Sequence, residues 1–152
     1  MSIQHALTTQ RTPQPVTARI AGIGLTAGIV ELTLTTAYIH ATLGGPLFTL
    51  NAIGYVVLAI AVGAAAVAPG GLKRFGWLPR IGLAGYTAAT IGGYVVMGPY
   101  FDLGWIAKAI EVAILTLLVA DLLRRHGSPA GVVRDALGSL GIGRRPGPMG
   151  IG

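Results

Sequence analysis

A chain of 152 residues that is 53% hydrophobic and only 11% charged holds more apolar surface than a water-soluble core of that length buries, since soluble domains carry about 25% charged residues. The net charge of +6 is spread between apolar runs rather than gathered on one face or arm, which argues against nucleic acid as a partner and reads as a membrane-topology signal. With no cysteine, disulfides, thiolate metal sites, cysteine-ligated iron–sulfur clusters and thiol redox chemistry are excluded.

In chain order, residues 1–17 form a flexible N-terminal segment. Four apolar runs follow, at 18–43, 46–68, 81–98 and 104–123. Crossing a bilayer takes roughly 20 helical residues, with a range of about 17 to 25. The first run is too long, and carries a Glu too near its middle, to read as a signal peptide. The third, "IGLAGYTAATIGGYVVMG", is the shortest and is Gly-rich. Pro99 stops it, because proline lacks a backbone donor and disfavours helix in the residue before it.

Basic residues test the count. Arg11 and Arg19 stand at the start of the first run, and Lys73, Arg74 and Arg80 lie between the second and third. Arg124, Arg125, Arg134, Arg144 and Arg145 follow the fourth, while the connections "GGP" and "PYFD" hold no Lys or Arg. That alternation predicts an all-α integral membrane protein, four transmembrane helices in an antiparallel bundle over residues 18–126, with both termini cytoplasmic. The expected location is the inner or plasma membrane, multi-pass. In the tail, residues 127–152, Ser128 and Pro129 open a short helix to about Leu140. The Gly-, Pro- and Arg-rich remainder is expected to be disordered.

Polar residues inside the runs are the candidate site. A helix turns about 100° per residue, so Glu31 and His40 point to opposite sides of the first run. Glu31 shares a face with Gly24, Gly28, Thr35, Tyr38 and Thr42. Gly24 and Gly28 make a small-xxx-small pair that lets another backbone approach. This stripe is expected to face protein, and the stripe Leu25, Ile29, Leu32, Ile39 and Leu43 to face lipid, with His40 at its edge. In the fourth run Lys108 and Glu111 have the i,i+3 spacing of an ion pair. Asp102 is expected to cap that run, and Asp121 to pair at the surface with Arg124 and Arg125. The tyrosines and tryptophans read mostly as an interfacial belt.

With a rise of about 1.5 Å per residue, Glu31 lies about 18 Å below the outer end and Glu111 about 12 Å, with Lys108, Asn51 and Tyr94 at about 6–8 Å. His40 is shallower still. A charge at mid-bilayer costs roughly 2.5–3.5 kcal/mol and usually marks a pathway or relay. Two buried acids and one buried base leave one carboxylate to hold a proton or a cation. The predicted binding and proton-exchange residues are therefore Glu31, Lys108, Glu111, Tyr38, Asn51 and Thr35. His40 is a proton entry point, and Gly24 and Gly28 serve helix packing.

No catalytic residue, metal site or cofactor is expected. Haem commonly takes two axial ligands, and His5 and His126 lie on the wrong side to join His40. Having a Glu in the first of four short spans is similar to the layout of the small drug-resistance transporters, although the residues around Glu31 do not match theirs. The functional expectation is a proton- or cation-linked carrier of a small solute, embedded in the lipid bilayer with a homo-oligomer or membrane-complex partner. The alternative is a non-catalytic subunit or anchor of a larger membrane complex. A haem- or quinone-associated redox protein ranks third, and an enzyme is the least supported class.

Overall fold

The computed structural model describes residues 16–141. It is all-helical, and no strand occurs among the described residues. The helices are α1 (Val16–Leu43), α2 (Pro46–Val67), α3 (Gly70–Lys73), α4 (Trp77–Met97), α5 (Asp102–His126) and α6 (Pro129–Ser139). Of the N-terminal segment expected to be flexible, residues 1–15 lie outside the described residues, as does the tail beyond Gly141, while Val16 and Thr17 already belong to α1.

The four long helices pack in the ring order α1, α2, α4, α5, with α1 also against α5. Two short connections lie at one end of the bundle. Gly44 and Gly45 (φ 68° and 82°) join α1 to α2, a left-handed backbone that favours glycine. Residues 98–101 join α4 to α5. The opposite end holds α3, α6 and the arginines. There Trp77 Nε1 donates to Ser139 Oγ at 3.1 Å, and His126 Nδ1 lies 2.7 Å from Asp135 Oδ2. Ser128 Oγ accepts from the Gly131 N–H at 3.0 Å and starts α6, with Pro129 in its first turn.

Two helices, α1 and α2, are long and apolar enough to cross a membrane. In α4 the run is diluted by Gly, Thr, Tyr and Arg80, and in α5 it is broken by Lys108, Glu111 and Asp121. The core is narrow: Ile29, Ala37, Tyr55, Val62, Leu83, Ile114 and Leu118. Around it are buried threonines, Thr26, Thr33, Thr36 and Thr87. Thr26 and Thr33 donate to the carbonyls of Gly22 (3.0 Å) and Ile29 (2.6 Å) one turn earlier. Their hydroxyls are thus satisfied without a partner helix.

The rotation of α1 corrects the sequence reading. Its buried face carries Ile29, Thr33, Thr36, Ala37, Ile39 and His40. Gly24, Glu31, Thr35, Tyr38 and Thr42 are exposed, Tyr38 by 72%. The expected packing pair does not bring a backbone close within the chain. A Cβ at Gly24 would meet nothing within 4 Å, and one at Gly28 would meet only Leu117 Cδ1 at 3.7 Å. The small residues that α1 buries are instead Thr33, Thr36 and Ala37. Glycine is required elsewhere: a Cβ at Gly54 would overlap the Tyr86 hydroxyl, and one at Gly104 the Tyr94 hydroxyl.

Two further expectations are corrected. Asp102 makes no capping hydrogen bond; the N-cap is Phe101, and Asp102 sits exposed in the first turn, where its charge complements the helix dipole. Asp121 is not a surface residue but wholly buried.

Candidate binding cavity

Glu111 anchors the site. It is 0% exposed, in the middle of α5, and each of its oxygens has a different set of neighbours. Oε2 accepts from Lys108 Nζ at 2.5 Å and from Thr90 Oγ1 on α4 at 3.0 Å. Tyr55 Oη on α2 lies 2.6 Å from the same Thr90 hydroxyl. Thr90 has one proton to give, and Thr87 O competes for it at 2.9 Å. When that proton goes to Glu111, Tyr55 donates to Thr90 and Thr90 donates onward. Burying a carboxylate without such partners costs far more than the few hydrogen bonds are worth.

Oε1 is served less well. Thr36 Oγ1 is 3.5 Å away and His40 Nε2 is 3.7 Å away, both from α1. His40 Nδ1 lies 2.8 Å from Thr36 O, one turn back. A carbonyl oxygen only accepts, so the proton of a neutral His40 sits on Nδ1 and the Nε2 lone pair is turned toward a carboxylate. The imidazole is buried and held by rings, with Tyr55 at 5.6 Å and Phe48 at 6.2 Å between centroids.

Lys108 Nζ, besides pairing with Glu111, lies 5.5 Å from the Tyr94 ring centroid, a cation–π position. Tyr94 in turn fixes the α4–α5 connection: its Oη accepts from Phe101 N–H at 3.2 Å and lies 3.3 Å from Phe101 O. Trp105 stands edge-on to Tyr94 at 5.4 Å. Tyr86 Oη donates to Asn51 Oδ1 at 3.0 Å, which engages the amide oxygen and leaves its nitrogen as a donor.

A cavity of about 320 Å³ lies over this cluster, toward the short-connection end. His40, Asn51, Tyr86, Thr90, Tyr94 and Lys108 supply its polar lining, and Leu43, Leu47, Phe48, Met97 and Phe101 its apolar walls. Its size is at the small end of the range for ligand pockets, about 300–1,000 Å³.

Of the residues the sequence singles out, the structure brings Lys108, Glu111, Asn51 and His40 together. It leaves Glu31, Thr35 and Tyr38 outside, on the outer surface of α1. Thr35 Oγ1 donates to the Glu31 backbone carbonyl at 2.9 Å, and no ion pair involves the Glu31 carboxylate among the described residues. Sequence reasoning missed Thr36, Thr90, Tyr55 and Tyr86 as partners. Tyr55, assigned to an interfacial belt, is fully buried. The signal was present in the spacing Thr33, Thr36, Ala37, His40, a narrow polar stripe at helical period on the face that was given to lipid.

A second ionic cluster closes the basic end. Asp121 accepts from Arg80 Nε and Arg125 Nε, each at 2.7 Å, and from Arg124 Nη2 at 2.9 Å. Arg80 is itself buried and donates through Nη1 to Gly76 O at 2.6 Å. This cluster ties α4 to α5 and, through Arg125 Nη2 near Thr26 Oγ1 at 3.5 Å, to α1.

Comparison of the chain with protein-family models, with curated proteins and with solved structures finds no match.

Proposed function

We propose that this chain is a four-span integral membrane protein that binds a small solute in the cavity above Glu111 and carries it linked to a proton. The observation that carries this reading is the buried His40–Glu111–Lys108 cluster at the base of a cavity at the end of the bundle whose connections hold no Lys or Arg. A membrane-buried ionisable cluster facing a cavity is the arrangement of ion and proton pathways. The membrane setting is supported by the outer surface. All four long helices expose large apolar side chains, among them Ile23, Ile53, Val57, Ile60, Val96, Ile106 and Val119. Soluble monomers rarely present so continuous an apolar surface. The proton rests on His40 rather than on Glu31, because Glu111 is already neutralised by Lys108 and His40 is the group with an unsettled nitrogen.

The test is flux in liposomes that hold the purified protein and trapped pyranine. Gradients of small carboxylates, amines and polyols are applied one class at a time. One class is expected to move protons, and Glu111→Gln to abolish the movement while Glu31→Gln preserves it. A folded protein that moves protons with none of them removes the carrier reading.

One observation favours a second reading. Glu31 lies near the middle of α1 on its outer face, beside Gly24, Thr35 and Tyr38. Against lipid, a carboxylate there costs roughly 2.5–3.5 kcal/mol. Contact with a second polypeptide would remove that cost, which is what a subunit or anchor of a larger complex, or a homo-oligomer, provides.

A further inference from the structure

The charge arithmetic of the buried cluster says what kind of solute the cavity takes. Lys108 and Glu111 cancel, so the cluster is neutral when His40 is neutral and carries one positive charge when His40 is protonated on both nitrogens. Neutral His40 presents a lone pair to Glu111 Oε1 at 3.7 Å, an unfavourable facing that a second proton converts into an ion pair. That proton, however, leaves a net positive charge in a low-dielectric site, which demands an anion.

The cavity is built to receive one. The lining holds two nitrogen donors, the Lys108 ammonium and the Asn51 amide nitrogen, beside the hydroxyl-bearing side chains Tyr86, Thr90 and Tyr94, which both donate and accept. The one carboxylate, Glu111, lies beneath the lining and not in it. Facing His40, the titratable groups are Glu111 and Lys108 from α5, Tyr55 from α2, and Tyr86 and Tyr94 from α4. Of these only Glu111 is a carboxylic acid. Beyond the donors the walls are apolar and aromatic, Phe48, Met97 and Phe101 among them.

Resting on the carrier reading above, we propose that the cavity binds a small amphipathic carboxylate as its anion, together with one proton held on His40 Nε2. The carboxylate faces Lys108 and Asn51, and its hydrocarbon or aromatic part lies among Phe48, Met97 and Phe101. Carboxylate and proton enter together, so the step adds no net charge to the protein. Binding therefore weakens as pH rises, about tenfold in dissociation constant per pH unit where His40 is neutral in the empty protein.

Calorimetry on the full-length protein in nanodiscs tests this with benzoate, benzyl alcohol and benzylammonium, which share a ring and differ in charge. Runs at pH of about 6 to 9, where benzoate stays ionised, use buffers of differing ionisation enthalpy to count protons. Saturable benzoate binding with uptake of about one proton per ligand is expected, with little binding of the other two. His40→Gln is expected to remove the proton uptake, and Asn51→Ala to weaken benzoate binding several-fold. The counts on the unaltered protein stand even where a variant fails to fold. Equal binding of benzoate and benzyl alcohol overturns the inference, as does benzoate binding without proton uptake, or no benzoate binding at all. Preferential binding of benzylammonium with proton release also overturns it while leaving a proton-linked carrier in place. In each of these cases the pyranine flux assay with the wider solute panel decides separately whether the carrier reading falls as well.

Discussion

Two acids in this chain sit in the same helix, each with a basic neighbour about one turn away, Lys108 before Glu111 and Arg124 and Arg125 after Asp121, yet their surroundings differ. Glu111 has one lysine, two hydroxyls and an imidazole around it, and one of its oxygens is only loosely held. Asp121 has three guanidinium groups at 2.7–2.9 Å and no room for a further partner. The first arrangement leaves one oxygen loosely held, as the proposed proton site needs; the second ties α4 to α5. Replacing Asp121 by Asn leaves Arg80 buried without its counter-charge. Removing one member of a buried pair typically costs about 3–5 kcal/mol, and a loss of that order is expected in unfolding by denaturing detergent, with the cavity cluster unaffected. Loss of benzoate binding in a folded Asp121→Asn protein would show that the two clusters are coupled. At this scale the sequence disclosed Lys108 with Glu111, because i,i+3 spacing is local. It hid Arg80 with Asp121, because that contact joins helices 41 residues apart in the chain.

Helix boundaries were largely legible. The α1–α2 turn is marked by "GGP", the end of α4 by Pro99, and the start of α6 by Ser128 and Pro129. The rotation of α1 was not. A glycine pair beside a carboxylate looks like an interior stripe when the helix is viewed alone. The choice of inner face is settled by partners on other helices, Tyr55, Thr90 and Glu111, which give His40 and Thr36 their company. Gly24 of α1 and Gly54 of α2 should therefore respond oppositely to enlargement. Gly54→Leu drives a side chain into Tyr86 and is expected to lower stability by about 1–3 kcal/mol, the usual cost of overpacking. A Cβ added at Gly24 meets nothing within 4 Å, and Gly24→Leu is expected to leave monomer stability unchanged or slightly raised, since glycine is a poor helix former. If the outer face of α1 is an interface, Gly24→Leu disperses the assembly in native mass spectra. An assembly that survives both Gly24→Leu and Glu31→Leu contradicts an interface on this face.

At the scale of the molecule, the bundle is polarised. One end is closed by Arg80, Asp121, Arg124 and Arg125; the other holds a cavity that ends on His40 and Lys108. Large apolar side chains face outward on every long helix. On the proposed carrier reading, a solute entering from the cavity end meets Lys108 and Asn51 with an apolar wall beside them, and the cluster beneath takes up one proton at His40. That proton is the central claim, and the ¹⁵N spectrum of the imidazoles in the full-length protein in liposomes reads it directly, with His40→Gln supplying the assignment. Stepped from about pH 8 to 5, the range in which histidine is suited to switch, His40 Nδ1 is expected to stay protonated throughout. Nε2 is expected to change from an unprotonated to a protonated signal, at a higher pH when benzoate is present. An Nε2 signal that keeps one protonation state across that range, with and without benzoate, contradicts the account.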